Sequence, residues 1–439
     1  MSLCHLEAAR SILYRQGQRC PSSARVRERV GLALPAGRER RSSQQPTRRR
    51  TLDFRLTEEQ KMIQETVRAF VKRELMPLEG EVLRNEREGR PGLDRARLRE
   101  LQLKARELGF WGINTPEEYG GANLGPIMTA VITIELYRTF VPFTFGGSAD
   151  NILYSCNEEQ KKRYLIPTIN GERRSCFALT EPEAGSDVSN LKMRAVKDGH
   201  DWVLNGEKIF ITNGNEADFV MVFALTDPEK GVYEGLTCFL VDREMGWRSS
   251  YIPTMGSWGP AALYFENVRV PEENILGELN KGYQLAMKWI GAGRWHIAAR
   301  AVGAAERLLE MAIEYARTRV TFGKPIADRQ AIQWMIADSY VEIEAARWLT
   351  LFAAWQAEQQ MDNRQAASVA KLYGANMANR VVDRVLQIHG GMGYTKELPI
   401  ERWYREMRVW RIFEGTDEIQ RFIIARNLLR GHVKVGETF

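Results

Sequence analysis

The chain has 439 residues, 44% of them hydrophobic and 27% charged, with 36 Gly, 16 Pro and 11 Trp. That excludes wholesale disorder and every fibrous class, and the length suggests one large or two to three ordinary domains with room for a substantial core. The formal charge of +6 is a poor guide to partners, because residues 1 to 50 hold 12 Arg against Glu7, Glu28 and Glu39, while the rest is mildly acidic at −3; a nucleic-acid partner loses its main support.

Residues 1–51 read as a basic leader or tail outside the fold. Rich in Arg and Ser and without an apolar h-region, the stretch matches a mitochondrial transit peptide in composition, a disordered tail, or upstream sequence wrongly joined to the gene. A genuine leader implies the mitochondrial matrix; otherwise a cytoplasmic location is expected. Cys156, Cys176 and Cys238 are the body's cysteines, an odd number with no CxxC spacing, which fits a reducing compartment. The five His are scattered and include no HExxH, so no metal site is expected. No apolar run approaches the eighteen or so residues of a membrane helix.

Residues 52–172 read as a helical domain. Thr57 with Gln60 forms a capping box for a helix running to about Leu75, where Pro77 is expected to stop it. Asp94 caps a second helix to about Leu108, Pro116 to Gly125 is a Gly-rich loop, and Met128 to Tyr137 returns to helical spacing. Residues 173–280 change period. Asp201 to Leu204, Lys208 to Thr212, Phe219 to Ala224, Leu236 to Val241 and Ala262 to Val268 read as strands, with turns at Asn205-Gly206 and Asn213-Gly214, which suggests an antiparallel barrel-like domain. Residues 281–433 read as a helical bundle, with Val302, Ala305, Leu308, Leu309, Ala312, Ile313 and Ala316 as one apolar stripe. The order is helical, β, helical, an α+β multidomain arrangement. It has no βαβ alternation and no GxGxxG or GxxxxGK[ST].

Four segments carry chemistry: Ala178 to Asp187 (ALTEPEAGSD), Lys208 to Gly214 (KIFITNG), Arg319 to Lys324 (RVTFGK) and Gln387 to Gln420 (QIHGGMGYTKELPIERWYREMRVWRIFEGTDEIQ). Together, in this order, they resemble the acyl-CoA dehydrogenase family from about Asp53 to Gly431. The resemblance implies that family's fold with a C-terminal four-helix bundle, non-covalent FAD and oxidation of an acyl-CoA to the trans-2-enoyl-CoA. A carboxylate removes the α-proton as the β-hydride passes to flavin N5. The matching carboxylate is Glu414. The position used by some relatives instead is Gly293, which has none.

By the same resemblance, Phe177, Leu179, Thr180, Gly185, Ser186, Phe210, Ile211 and Thr212 lie along the flavin. Phe210 stands where many members have Trp. Arg319, Thr321, Phe322 and Gln330, with Gln387, Gly390 and Gly391, match positions around the adenosine half, partly across a subunit interface, and Thr416 and Glu418 complete the set. Ser186, Arg294, Phe413, Gly415 and Arg426 match substrate-binding positions. Implied partners are an acyl-CoA, an electron-transfer flavoprotein and further copies of the chain in a homotetramer or homodimer. An acyl-CoA oxidase, or a flavin-binding member acting on a non-CoA substrate, is the alternative.

Taken singly, each residue has a plainer reading. Glu414 could be a first-turn helix acid, Thr180, Ser186 and Thr212 turn or strand residues, Phe322 core, Gly390 and Gly391 points of close helix approach, and Arg319 and Arg426 solvated cations. Apolar neighbours raise a carboxyl pKa and a following helix N-terminus lowers it, so the sign at Glu414 is open. Trp111, Tyr137 and Trp289 are aromatic candidates for the acyl pocket.

Overall fold

The computed structural model describes residues 55–256 and 259–436, so the basic leader lies outside the described residues. Helix α1 (Glu58–Phe70) opens on the expected capping box. Gln60 N–H donates to Thr57 Oγ1 at 3.2 Å, and Thr57 N–H donates to Gln60 Oε1 at 3.0 Å. Pro77 does not stop the chain's helical path. A π turn (Val71–Leu75) and a 3₁₀ turn (Met76–Leu78) place it where its missing N–H is not needed, and α2 (Glu79–Arg87) follows. Asp94 caps α3 (Arg95–Glu107) by accepting from Arg97 N–H at 2.7 Å. Helix α4 (Gly125–Leu136) is apolar nearly all round and is buried accordingly from Met128 through Ile132.

The middle region is one seven-stranded sheet: β1 (Ser175–Ala178), β2 (Arg194–Asp198), β3 (Asp201–Ile211), β4 (Phe219–Leu225), β5 (Leu236–Asp242), β6 (Arg248–Tyr251) and β7 (Ala261–Pro271). The path runs β1-β4-β2-β3-β7-β6, with β5 on the other edge of β4. Most pairings are antiparallel, but β1 lies parallel along Phe219 to Val222, and β2 touches the same edge at Leu225. Asn205-Gly206 is not a turn. It is an irregularity within the continuous strand β3, where the register against β7 shifts between Leu204 and Gly206.

The C-terminal region is built on α5 (Gly282–Thr318), α6 (Gln330–Glu358) and α7 (Arg364–His389), followed by α8 (Ile400–Met407) and α9 (Asp417–Leu429). The expected stripe on α5 is buried apart from Ile313, which is partly so. Two glycines set how closely the helices approach. A Cβ at Gly303 would meet the Ile134 carbonyl of α4 at 2.0 Å, and one at Gly374 of α7 would meet Ala298 Cα of α5 at 3.0 Å. Helix α5 is thereby fixed against both α4 and α7. No described helix is long and apolar enough to cross a membrane.

Candidate active site

The chain between α8 and α9 turns sharply at Glu414, φ +55°, and Gly415, φ +85°. A left-handed non-glycine residue costs on the order of 1–2 kcal/mol, so the turn needs external support. Three hydrogen bonds supply it. Gln420 Nε2 donates to the Glu414 carbonyl at 3.0 Å and the Gly415 carbonyl at 3.1 Å, and Lys371 Nζ donates to the Gly415 carbonyl at 2.6 Å. Thr416 then caps α9, accepting from Ile419 N–H at 3.3 Å. Sequence reading missed Lys371 and Gln420. The available signal was a lysine on an alanine-lined face of α7, among Ala367, Ala370 and Ala375, where all four are buried.

The Glu414 side chain lies over Gly293 of α5. A Cβ there would stand 2.7 Å from Glu414 Oε2, so the glycine that lacks a carboxylate provides the room for this one. Oε2 is buried and takes no hydrogen bond. Burial pushes the Glu414 carboxyl above its usual range, against the pull of Arg300, Arg294 and Lys371, which settles the sign left open by sequence. Burial also lowers the Arg294 guanidinium, and it brings Lys371 down to about 8 despite the opposing charge of Asp417.

One turn back along α5, Trp289 stacks flat on Phe177, with ring centroids 4.0 Å apart and planes at 7°. Trp289 Nε1 donates to Asp150 Oδ1 at 2.9 Å, and Ser175 Oγ donates to Asp150 Oδ2 at 2.7 Å. Residues four apart share a helix face, so the Phe177 strand and the Glu414 carboxylate are neighbours across α5. Leu179 is pinned by a buried ion pair that sequence reading missed. Lys208 Nζ donates to the Leu179 carbonyl at 2.9 Å and to Glu181 Oε1 at 2.7 Å, while Glu181 also accepts from Lys192 and Met193 N–H. Burial brings Lys208 down to about 8. Ile209 N–H donates to the Thr180 carbonyl at 2.9 Å, which ties Ala178–Ser186 to the Lys208–Thr212 end of β3.

This surface suits a flat aromatic dinucleotide. Phe210 holds a left-handed φ of +59° and is 59% exposed, beside Ile211, which is buried. Ser186 and Thr212 face outward. A Cβ at Gly185 would meet nothing within 4 Å, and Gly185 lacks a positive φ, so neither packing nor backbone in this chain requires glycine there.

The second group lies at the far end of α5. Arg319 leads into a hairpin of β8 (Val320–Thr321) and β9 (Lys324–Pro325), whose tip is Phe322 and Gly323, both at positive φ. Phe322 is 97% exposed, not core, and Arg329 sits 5.8 Å from its ring while donating to the Thr321 carbonyl. Gln330 begins α6. Tyr315 stacks on His389 at 4.3 Å, which brings Arg319 and the exposed Gln387, Gly390 and Gly391 to one end of the molecule. Gly390 and Gly391 also face open space, so helix approach does not explain them.

Among the described residues, no hydrogen bond, ion pair or ring contact joins this group to Phe177–Thr212. Glu418 is exposed on α9, and Arg426 is exposed with its guanidinium 5.2 Å from the Phe422 ring. Phe413 is partly buried against the main core. Of the aromatic candidates, Trp289 and Tyr137 lie near the site, Tyr137 under the Arg300 guanidinium at 5.0 Å. Trp111 instead packs against Gly146 and Gly147.

Comparison with known proteins agrees with this layout. Residues 57–172, 176–268 and 280–429 match the N-terminal, middle and C-terminal domains of acyl-CoA dehydrogenase. The chain is 38% identical over 399 residues to (R)-benzylsuccinyl-CoA dehydrogenase of Thauera aromatica, covering 86% of this chain and 97% of that one. It is 37% identical to the CarC subunit of the caffeyl-CoA reductase-Etf complex of Acetobacterium woodii, covering 85% and 99%. The structure of butyryl-CoA dehydrogenase from Megasphaera elsdenii superposes with a TM-score of 0.77 at 33% identity, over 86% of this chain and 100% of that one. With all three domains matched in order on the same fold, the chain belongs to the acyl-CoA dehydrogenase family and is an oxidoreductase of that class.

Proposed function

We propose that the chain catalyses α,β-dehydrogenation of an acyl-CoA thioester to the trans-2-enoyl-CoA, with Glu414 as the base that removes the α-proton. The observation that carries this reading is the Glu414 carboxylate itself: its Oε2 is buried and unpartnered, held in a strained turn and facing the bare backbone of Gly293. A base in a dry site has a raised pKa, which strengthens it toward a weakly acidic carbon once it is ionised.

Non-covalent FAD, when bound, supplies the hydride acceptor. Phe177, Leu179, Thr180, Gly185, Ser186, Phe210, Ile211 and Thr212 form its flavin side, next to Glu414 through the Trp289–Gly293 face of α5. Thr416 and Glu418 flank the same turn. The thioester oxygen lies against the Glu414 N–H, whose direction Lys371 and Gln420 fix by gripping the turn. Arg294, Phe413 and Gly415 line the substrate path, and Arg426 lies toward the CoA phosphates.

The Arg319–Gln330 and Gln387–Gly391 group serves a different copy's site. Gly293 and Thr318 are separated along α5 by roughly 37 Å at 1.5 Å per residue, farther than one extended dinucleotide reaches. A homodimer or homotetramer follows, and α6 offers it exposed Trp334, Tyr340, Val341 and Trp348; a single-chain mass by sedimentation would contradict this. The electron acceptor is an electron-transfer flavoprotein, in keeping with the Etf complex named for the Acetobacterium relative. Because that relative is a reductase, a second reading runs the same chemistry backwards, with Glu414 delivering the α-proton to an enoyl-CoA. Purified protein is expected to be yellow and to bleach anaerobically on addition of an acyl-CoA. A colourless protein that takes up no FAD contradicts the assignment.

A further inference from the structure

Arg300 lies on the same face of α5 as Trp289 and Gly293, two turns and about 10 Å beyond the glycine that faces Glu414. Helical side chains lean toward the N-terminus, so its guanidinium returns toward the space beside the base. Consistent with this, its charge is the foremost of those pulling down the Glu414 carboxyl. The Arg300 Nε is buried without a hydrogen bond, and its guanidinium stands 5.0 Å from the Tyr137 ring.

Arg68, Arg138 and Arg347 of this helical layer each have a carboxylate, whereas Arg294, given above to the substrate, shares with Arg300 a buried Nε without a hydrogen bond. Arg68 meets Glu135 at 2.6 Å, Arg138 meets Glu306 and Glu310, both at 2.6 Å, and Arg347 meets Glu306 at 2.8 Å. Arg300 has no ion pair of this kind among the described residues. Desolvation and the nearby Arg300 charge bring His296, one turn before it, down to about 3, so it brings no second cation into the site at neutral pH. Glu414 cannot be a permanent partner, because on the reading above it takes up a proton during turnover. Arg300 is half-buried, and an unpaired guanidinium partly withdrawn from water is costly unless something brings it an anion.

We infer that Arg300 receives an anionic group carried by the acyl chain, so that the favoured substrate is the CoA thioester of a short dicarboxylic acid. This rests on the acyl-CoA reading and names its substrate class. The thioester end lies at Glu414, and the distal carboxylate reaches Arg300 on the same wall. The Tyr137 ring, 5.0 Å from the Arg300 guanidinium, flanks that end of the chain. A charge-assisted pair in such a site is worth about 10–100-fold in affinity.

The test measures dissociation constants on the FAD-loaded, full-length Glu414→Gln protein, which binds without turnover. Matched probes are glutaryl-CoA with pentanoyl-CoA, and adipyl-CoA with hexanoyl-CoA. The dicarboxylic member of one pair is expected to bind at least 30-fold more tightly. Adding Arg300→Gln brings that ratio near one, and Arg300→Lys restores part of it. Equal binding within both pairs overturns the inference, as does a preference that survives Arg300→Gln. Should Arg300→Gln not fold, the ratios with Arg300 and with Lys at position 300 still decide. Bleaching by monocarboxylic thioesters without any binding preference removes the Arg300 assignment alone. A binding preference with no bleaching by any CoA thioester removes the proposed reaction alone.

Discussion

At Glu414 two opposing effects meet, and burial wins over three cations. The folded protein therefore binds a proton at this carboxyl more tightly than the unfolded chain does. For a carboxyl raised in this way, ionisation costs stability as pH rises, and the cost is relieved as pH falls through the folded value toward 4.5. Glu414→Gln is accordingly expected to melt higher than the parent at neutral pH and to lose that advantage in acid, as read by calorimetry. The rate of flavin bleaching should have the opposite dependence, being full above the raised value and falling below it, because only the ionised base accepts a proton. A limb at or below an ordinary carboxyl pKa contradicts the burial argument. Glu414 itself was legible in the sequence from its motif. The sign of its shift was not, since that depends on Gly293, Arg300 and Lys371, which lie far off in the chain.

Among the elements, the segments that hold the site are fixed by buried charges. Lys208 on β3 is fully buried and joins Leu179 and Glu181 of the loop that follows β1. Removing one partner of such a pair leaves the other buried and uncompensated, at about 3–5 kcal/mol. Lys208→Met should lower Tm and lose FAD on gel filtration, with most of the FAD recovered when Glu181→Gln is added. Full FAD retention in the single variant would show that the pair does not position the loop. The sequence made the KIFITNG strand visible, but not that Lys208 points inward, because Glu207 and Ile209 on the opposite face are one charged and one apolar, and so do not mark which face is buried. The Asn205-Gly206 turn and the Pro77 stop were misread for a related reason. Each is a strong local breaker, and each is absorbed by longer-range pairing or by continuation of a helix.

For the whole molecule, the helical, β, helical order and the absence of a parallel nucleotide-binding sheet were readable from period alone. The meeting of Tyr137 and Arg300 near Glu414 was not, because they come from segments whose packing sequence spacing does not specify. Helix α5 ties the molecule together, since it carries Trp289 beside Phe177, Gly293 beneath Glu414, Arg300 beyond it, and leads into the exposed Phe322 hairpin. The central claim is that Glu414 takes the α-proton in the space over Gly293. Its most direct measurement is anaerobic stopped-flow bleaching with a reactive acyl-CoA and its α-dideuterated form, on the parent and on Glu414→Gln. The account predicts a several-fold slowing by α-deuteration in the parent and a loss of several orders of magnitude in the variant. Bleaching of Glu414→Gln at near the parent rate would contradict it.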